Sequence, residues 1–338
     1  MKNIVLVDFN ASEEWQFYQA LNKSCNENWE LFRGVSNQHH GNKFRELIRY
    51  IKYFLIPFEI FIKRKQYNKI LAWQQFYGLI LAFYCALFRV NKAPEIIVMT
   101  FIYKPKNMPI IGWVYDKFIK YIVRSGYITK YIVFSESECS YYSTLLGIRR
   151  ERIVAIKLGI EDVRAFYDCE PISKYHFLSA GRSNRDYNFL FEAWQTIENY
   201  NGKYHIKVIS DKLHIHNTEN ITILNDCHGK DYMCELGRCY AVILPLNDEN
   251  ISSGQLVVLQ AMMMGKPVIV TKNNSITDYI INGINGYVIE KNKESLLNAI
   301  ENIENEELYQ TLSKNAREYF KKEFSLYSMG LQIGKLIG

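Results

Sequence analysis

The stretch "SSGQLVVLQAMMMGKPVIVT", residues 252–271, carries the signals of a loop, a helix, a tight turn and a buried strand in succession. Small polar residues precede a short apolar helix that the pattern predicts over Leu256–Met264. Gly265 and Pro267 are typical of a helix stop. Val268–Val270 form an apolar run without polar alternation, as in a parallel strand covered on both faces. The stretch therefore predicts one unit of an α/β sheet, with a candidate binding position at the start of its helix.

The same alternation of strands and helices extends outward through all 338 residues. Strands are predicted at 4–9, 69–73, 95–101, 131–137 and 152–160, and then at 175–180, 205–210, 221–224, 241–246, 266–271 and 286–290. An irregular polar segment at 165–172 separates the two series. The pattern predicts an α/β protein with two Rossmann-like, doubly wound domains that face each other across a cleft, the default ligand site.

The predicted domains are residues 1–166 and 167–321, and a C-terminal helix at about 322–338 is expected to pack back on the first. Charge is uneven between the halves. Residues 1–165 contain 24 Lys and Arg against 14 Asp and Glu, whereas residues 166–338 contain 17 against 21. Such asymmetry indicates two surfaces with different tasks.

Cysteine usage and the N-terminus favour a cytoplasmic protein. The seven Cys are odd in number and include no C-x-x-C pair, which indicates reduced thiols. "MKNIVLVDFN", residues 1–10, resembles a first strand more than a signal peptide. Residues 70–88 lack charge and could form a marginal membrane span, but a strand followed by a buried helix is the favoured interpretation.

Several motifs of other enzyme classes are missing from the sequence. There is no G-x-G-x-x-G after the first strand, no P-loop, no D-x-D carboxylate pair and no H-E-x-x-H. We therefore expect neither a dinucleotide cofactor nor a metal ion.

Two stretches contain residues suited to an anion. In "SAGRSNRDYNFLFEAW", Gly181 allows close backbone approach at a predicted strand end, and Arg182 and Arg185 follow. The planar guanidinium donates hydrogen bonds in pairs to phosphate oxygens. The alternative is that both are solvated loop arginines.

The second stretch is the helix start at residues 252–255. Ser252, Ser253 and Gly254 are small, and the free amides that begin at Gln255 attract anions. Ordinary N-capping is the alternative. Gln260 is the polar exception in the apolar helix and could bind a ribose hydroxyl or lie on the helix surface.

A third candidate follows a predicted strand end, where Asp226–Gly229 could frame a flat ring. His228 is the side chain of interest there, and a loop histidine without a role is the alternative.

The order of these motifs resembles that of GT-B glycosyltransferases of the family-4 type (group 1), over nearly the whole chain. "YIVFSESECSYYSTLLGIRRERIVAIKLGIED", "SAGRSNRDYNFLFEA" and "SSGQLVVLQAMMMGKPVIVTKNNSITDYIINGINGYVIE" are the similar stretches. The resemblance implies a GT-B fold, a donor diphosphate held by Arg182 and Arg185, and a ribose held at Gln260. It also implies a role in capsule or cell-surface polysaccharide assembly.

This chain departs from the family pattern at several positions. The family's two Glu, eight positions apart, fall on Ser252 and Gln260, and its phosphate-binding Lys is replaced most plausibly by Arg185. A Gln carbonyl can still accept a ribose hydroxyl, but Ser252 is too short to reach the donor sugar as Glu does. Recognition of the sugar must therefore differ.

Residues 43–69 contain eight Lys and Arg and two acids among large apolar residues. A basic amphipathic surface of this kind favours contact with anionic lipid headgroups, at the inner face of the cell membrane. The alternatives are nucleic acid, for which no recognised module is present, and a buried helix with a solvated basic side.

The sequence thus predicts a metal-independent enzyme that moves a sugar from a nucleoside-diphosphate sugar (UDP- or GDP-linked) to a hydroxyl of a lipid-linked or growing glycan. Asp8, Glu13 and His39 are candidate catalytic residues, with Glu14 and His40 beside them. A nucleotide-sugar epimerase of the same fold and a non-catalytic sugar-nucleotide-binding protein are the alternatives.

Overall fold

A computed structural model describes residues 1–34, 43–103, 105, 109–211, 213, 217–247, 253–274 and 276–338. The chain divides into two compact units. Unit 1 comprises Met1–Lys157 with Met329–Gly338, and unit 2 comprises Leu158–Ser328. The boundary predicted after residue 166 thus lies inside unit 2.

Unit 1 is built on a parallel sheet whose six described strands run in the order β2-β1-β3-β4-β5-β6. The strands are β1 (Lys2–Val7), β2 (Trp29–Arg33), β3 (Tyr67–Ala72), β4 (Glu95–Val98), β5 (Ile128–Val133) and β6 (Ile153–Ala155). Their side chains are mostly buried because helices cover both faces of such a sheet. The chain reverses its winding between β1 and β3, which makes the carboxyl ends of these two strands a natural ligand position.

The helices of unit 1 follow the strands in the usual β-α alternation. They are α1 (Gln16–Ser24), α2 (Lys43–Ile62), α3 (Gln75–Leu87), α4 (Pro109–Ser125) and α5 (Glu136–Leu146), joined by most of the last helix, α11 (Leu326–Ile337). Residues 70–88 form most of β3 and all of α3, as the favoured interpretation predicted. Among the described residues, no helix has both the length and the apolar character needed to cross a membrane.

Two glycines let α11 approach α1 closely within unit 1. A Cβ added to Gly330 would collide with the Phe17 carbonyl oxygen, and one added to Gly334 would collide with the Ser24 hydroxyl. The end of the helix is also held by Lys69, whose Nζ donates to the Ile337 carbonyl oxygen over 2.6 Å. Small side chains at these positions therefore fix the last turns of the chain on unit 1.

Unit 2 repeats the architecture with a different strand order, β12-β11-β10-β7-β8-β9 within the described residues. The strands are β7 (His176–Ala180), β8 (His205–Ile209), β9 (Ile221–Leu224), β10 (Ala241–Leu244), β11 (Val268–Thr271) and β12 (Tyr287–Ile289). The first strand of the unit, β7, lies between β8 and β10, which is the Rossmann order with its switch point between β7 and β10.

The helices of unit 2 are α6 (Tyr187–Asn201), α7 (Gly229–Arg238), α8 (Gln255–Met264), α9 (Lys293–Glu304) and α10 (Glu306–Tyr319). The helix predicted over Leu256–Met264 is α8, and the apolar run at Val268–Val270 forms most of β11. Gly265 ends α8 in the left-handed conformation, with φ of 71°. The two parallel sheets with covering helices confirm the predicted α/β fold of two doubly wound domains.

Candidate functional site

The carboxyl edge of the unit 2 sheet gathers the predicted donor-binding residues at the switch point. The loop after β7 and the segment after β10 are joined by backbone hydrogen bonds. The Asp186 amide donates to the Pro245 carbonyl oxygen over 2.7 Å, and the Asn247 amide donates to the Asn184 carbonyl oxygen over 3.2 Å. These bonds hold the loops in a defined arrangement at the place where ligands bind in this topology.

Gly181, Arg185 and Gly254 come together there. Gly181 has a φ of 112°, and a Cβ at this position would lie 2.7 Å from Nη2 of Arg185. A Cβ at Gly254 would lie 3.8 Å from Nη1 of the same side chain. The guanidinium therefore lies close to a glycine at a strand end and to a glycine at a helix start.

The Arg185 side chain is fixed by its own loop. Its Nε donates to the Ala180 carbonyl oxygen over 3.0 Å, and its Nη1 donates to the Ser183 carbonyl oxygen over 2.8 Å. Burial lowers the pKa of the guanidinium, an effect that the nearby phenols of Tyr187 and Tyr232 oppose. An arginine remains charged under these conditions. A partly desolvated, oriented positive charge of this kind attracts an anion more strongly than a charge in water.

The helix α8 begins at the same place. Gly254 is the N-cap of α8, with φ of 88°, and it has no side chain with which to cap the first turn. Ser253 is buried and accepts a hydrogen bond from Asn184 Nδ2 over 3.0 Å, so its hydroxyl is directed to the β7 loop. Neither Ser253 nor Gly254 therefore caps the first turn of α8 with its side chain. Ser252 lies outside the described residues.

The amide groups of the first helical turn have no intrahelical partner and point out of the helix start. Together with the helix dipole they favour a negatively charged ligand close to Gly254. Gln255 is buried at the first position of α8, and Gln260 lies half-buried further along the helix.

Arg182 and His228 meet at a carboxylate that the sequence analysis did not single out. Asp211 follows β8, and its Oδ2 lies 3.8 Å from Nη1 of Arg182. Its Oδ1 lies 3.4 Å from Nε2 of His228 and accepts the Asp226 amide over 3.2 Å. Arg182 itself is 69% exposed, so it can turn to a ligand at the sheet edge.

Asp211, Asp226 and His228 are also the group in the described part of the chain whose potential metal-ligand atoms lie within 4.8 Å of one another. Asp226 and His228 are exposed, and Asp211 already pairs with Arg182. The contacts that these three residues make are those of an ion-pair and loop network.

The corresponding edge of unit 1 contains the predicted catalytic carboxylate. Asp8 follows β1, is 7% exposed, and its Oδ2 accepts a hydrogen bond from Gln74 Nε2 over 3.3 Å. Gln74 comes just after β3, so the pair spans the switch point of this sheet. Thr100, after β4, has a φ of 50° and donates through Oγ1 to the Trp73 carbonyl oxygen over 3.3 Å. A β-branched residue in this conformation is a rare feature of functional and tightly constrained loops.

Half-buried aromatic rings follow β1 and β3, next to Asp8 and Gln74 in the chain. Trp15 and Trp73 pack edge to face with ring centroids 4.7 Å apart, and Phe9 lies 5.2 Å from Trp15. Glu13 is different, because its side chain is 78% exposed and its Oε1 lies 4.0 Å from Nη2 of Arg33. His39 and His40 lie outside the described residues.

Comparisons with known proteins find similar glycosyltransferases. Residues 176–319 match the family described as glycosyl transferases group 1. An uncharacterized glycosyltransferase of Methanocaldococcus jannaschii is 27% identical over 157 residues, which is 43% of this chain and 42% of that protein. The chain therefore spans less than half the length of this curated relative.

Two solved structures have a similar fold over almost the full length of both chains. The Anabaena protein HepE, in complex with UDP and glucose, superposes with a TM-score of 0.64 at 14% identity, covering 100% of this chain and 99% of that one. The lipopolysaccharide outer core galactosyltransferase WaaB has a TM-score of 0.61 at 13% identity, covering 99% of both chains. The family match in unit 2 supports the resemblance to the group 1 glycosyl transferases, and these structures confirm the fold.

Proposed function

We propose that this protein is a glycosyltransferase that moves a sugar from a nucleoside-diphosphate sugar to a hydroxyl of a lipid-linked or growing surface glycan. The observation that carries the proposal is the meeting of Gly181, Arg185 and Gly254 at the switch point of unit 2. A planar guanidinium, a helix N-terminus and two positions without side chains are what a diphosphate requires.

The departing diphosphate would be stabilised by side chains and backbone. As the bond to the sugar breaks, negative charge builds on the phosphate oxygens, and Arg185 with the first amides of α8 would face it. Arg182 would leave Asp211 and add a second guanidinium. Fixed donors of this kind lower the energy of the transition state because they need no reorganisation. We therefore propose a reaction that does not require a metal ion.

Gln260 and His228 are proposed to hold the nucleoside. Gln260 lies in the same helix whose start would bind the phosphates, and its amide oxygen would accept a ribose hydroxyl. His228 precedes α7 at the same sheet edge. A UDP-sugar fits this assignment because HepE, whose fold is similar, binds UDP and glucose.

The acceptor hydroxyl is proposed to bind at the edge of unit 1 near Asp8. The buried carboxylate can accept the proton of a hydroxyl, and the aromatic rings of Phe9, Trp15 and Trp73 offer flat apolar faces beside it. Gln74 would orient the carboxylate through the hydrogen bond already present.

Unit 1 also presents a broad apolar and basic face, which we propose lies on an anionic membrane. The helices α2 and α4 both pack against α3 and expose large apolar side chains. On α4, Ile110 is 79% exposed and Trp113 62%, and on α2, Leu55 is 60% exposed. Lys117 and Arg124 lie further along α4, and their positive charges suit lipid phosphates.

The donor site is tested by nucleotide binding without metal. We expect one nucleoside diphosphate among UDP, GDP, ADP and TDP to raise the melting temperature of the purified protein in the presence of EDTA, and CMP to have no effect. Arg182→Ala should abolish the shift, and Arg238→Ala, an exposed arginine at the end of α7, should retain it. A protein that responds to none of these nucleotides contradicts the proposal. Turnover of the sugar nucleotide without any acceptor would indicate the epimerase instead.

The membrane face is tested by sedimentation with vesicles. Binding to vesicles of phosphatidylglycerol and phosphatidylcholine, but not to phosphatidylcholine alone, is expected, and Trp113→Ala with Ile110→Asn should weaken it at least several-fold. Phe166→Ala is the matched control, because Phe166 is 80% exposed but belongs to unit 2. An equal loss of vesicle binding in Phe166→Ala would contradict the proposal that α4 contacts the membrane.

A further inference from the structure

A cavity lies at the edge of the unit 2 sheet opposite the candidate donor site. It has a volume of about 360 Å³ and is lined by residues before β7, at the turn between α8 and β11, and on α10. The donor residues follow the carboxyl ends of the strands, whereas Gly265 and Lys266 precede β11 at its amino end. The cavity is therefore separate from the site proposed above.

Lys266 is the unusual residue of this cavity. It is only 5% exposed and lines the cavity. A positive charge with little access to water attracts an anion more strongly than one in bulk solvent. Burial also lowers the pKa of this ammonium, and the neighbouring carboxylates of Asp168 and Glu170 oppose the change only in part.

A second cation lies beside it. Nη1 of Arg164 is 3.3 Å from the position that a Cβ on Gly265 would take. Its Nε pairs with Oδ2 of Asp168 over 3.2 Å, which leaves the rest of the guanidinium for another acceptor.

Three acidic residues, Asp168, Glu170 and Glu306, also line the cavity, and all three are exposed to solvent. Asp168 pairs with Arg164, and Glu306 accepts a hydrogen bond from Gln310 over 2.7 Å. Water and salt screen exposed charges strongly and buried ones weakly. The charge of Lys266, which is little exposed, is therefore screened less than these carboxylates, and hydroxyl and amide groups of Ser173, Ser313 and Gln310 also line the cavity.

We propose that Lys266 and Arg164 form the floor of a second binding site for a small oxyanion, carried as a phosphate or carboxylate group on a small polar molecule. The volume is at the low end of small-molecule sites, which suits a ligand of this size. The oxyanion would accept from the Lys266 ammonium and from the free part of the Arg164 guanidinium.

Inorganic phosphate and acetate are the probes, added to the intact chain and compared with sodium chloride at matched ionic strength. At about ten times its dissociation constant, the anion that binds should raise the melting temperature by about 3 °C. The larger shift of the two identifies the phosphate or the carboxylate as the group recognised. Lys266→Met should abolish the shift, and Lys272→Met, which alters an exposed lysine paired with Glu290, should leave it unchanged.

Phosphate could also bind at the donor site, so Arg182→Ala is measured in parallel. The proposal expects the anion-dependent shift to persist in Arg182→Ala and to vanish in Lys266→Met. A shift that is lost in Arg182→Ala and kept in Lys266→Met, or no shift with either anion, would overturn the second site and leave the donor site untouched.

Discussion

The contact between Gly181 and Arg185 gives the sharpest test of the donor site. An alanine at residue 181 must keep a φ near 112°, which costs about 1–3 kcal/mol for a residue with a side chain. Its methyl group would also displace the Arg185 guanidinium, because Nη2 lies 2.7 Å from the added Cβ. The flexible side chain can move, but it then loses its hydrogen bonds to the carbonyl oxygens of Ala180 and Ser183.

Each of these hydrogen bonds has a charged donor and contributes about 1.5 kcal/mol or more, part of which water restores. We therefore expect Gly181→Ala to lower the free energy of unfolding of unit 2 by about 2–5 kcal/mol. About 1–3 kcal/mol of this should disappear when Arg185 is already replaced by methionine. The four proteins of this double-mutant cycle can be compared by urea-dependent hydrogen exchange in peptides from residues 176–210.

Gly283→Ala is the matched control, since Gly283 also has a positive φ, 75°, but an added Cβ would meet no atom within 4 Å. It should show the cost of backbone strain alone. If Gly181→Ala costs the same with and without Arg185, the glycine does not hold the guanidinium in place. The reasoning that links residue 181 to diphosphate binding would then be refuted.

Three further predictions concern other parts of the molecule. Gly334→Ala should destabilise unit 1 by about 1–3 kcal/mol in urea unfolding, because the new methyl group collides with the Ser24 hydroxyl, and Ser24→Gly should restore part of the loss. Burial lowers the pKa of His176 from 6.5 to about 4, so the folded protein favours the neutral imidazole. The stability that this preference contributes is fully present above pH 6.5 and is lost as the pH falls toward 4. That loss is up to about 3 kcal/mol, and His176→Leu should flatten the pH dependence of unfolding. Asp8→Asn should lower sugar transfer at least 10-fold while nucleotide affinity is unchanged, and an equal loss of both would contradict an acceptor role.

The strands could be predicted from the sequence because a parallel sheet buries both faces, and its strands are continuous apolar runs. The predicted ends of strands were less accurate where a helix follows the strand directly. Residues 131–137 were predicted as one strand, but β5 ends at Val133. Ser135 is already the N-cap of α5, where its hydroxyl accepts the Glu138 amide over 3.2 Å. A serine before acidic residues signals this helix start, and it was outweighed by the apolar run before it.

Residues of the candidate site could be predicted only where a short stretch of sequence is enough to identify them. Gly181 and Arg185 share a loop, and Gly254 begins a helix, so each is visible locally. Asn184 and Asp211 were missed because their partners, Ser253 and Arg182, are 69 and 29 residues away in the sequence. Lys266 was missed for another reason. Its place after a helix-ending glycine looks exposed, and only the packed structure shows that the residue is largely buried.

Unusual backbone conformations gather at the carboxyl edge of the unit 2 sheet. Gly181, Asn184, Asp226 and Gly254 all have positive φ, at 112°, 55°, 55° and 88°. A non-glycine residue in this region costs about 1 kcal/mol or more, and it persists only where the surroundings fix it. Here the fixing bonds are those of Asn184 to Ser253 and of the Asp226 amide to Asp211. The loops therefore hold their shape through bonds within the protein. A diphosphate would meet donors already in position, which is the condition for stabilising a leaving group without a metal ion.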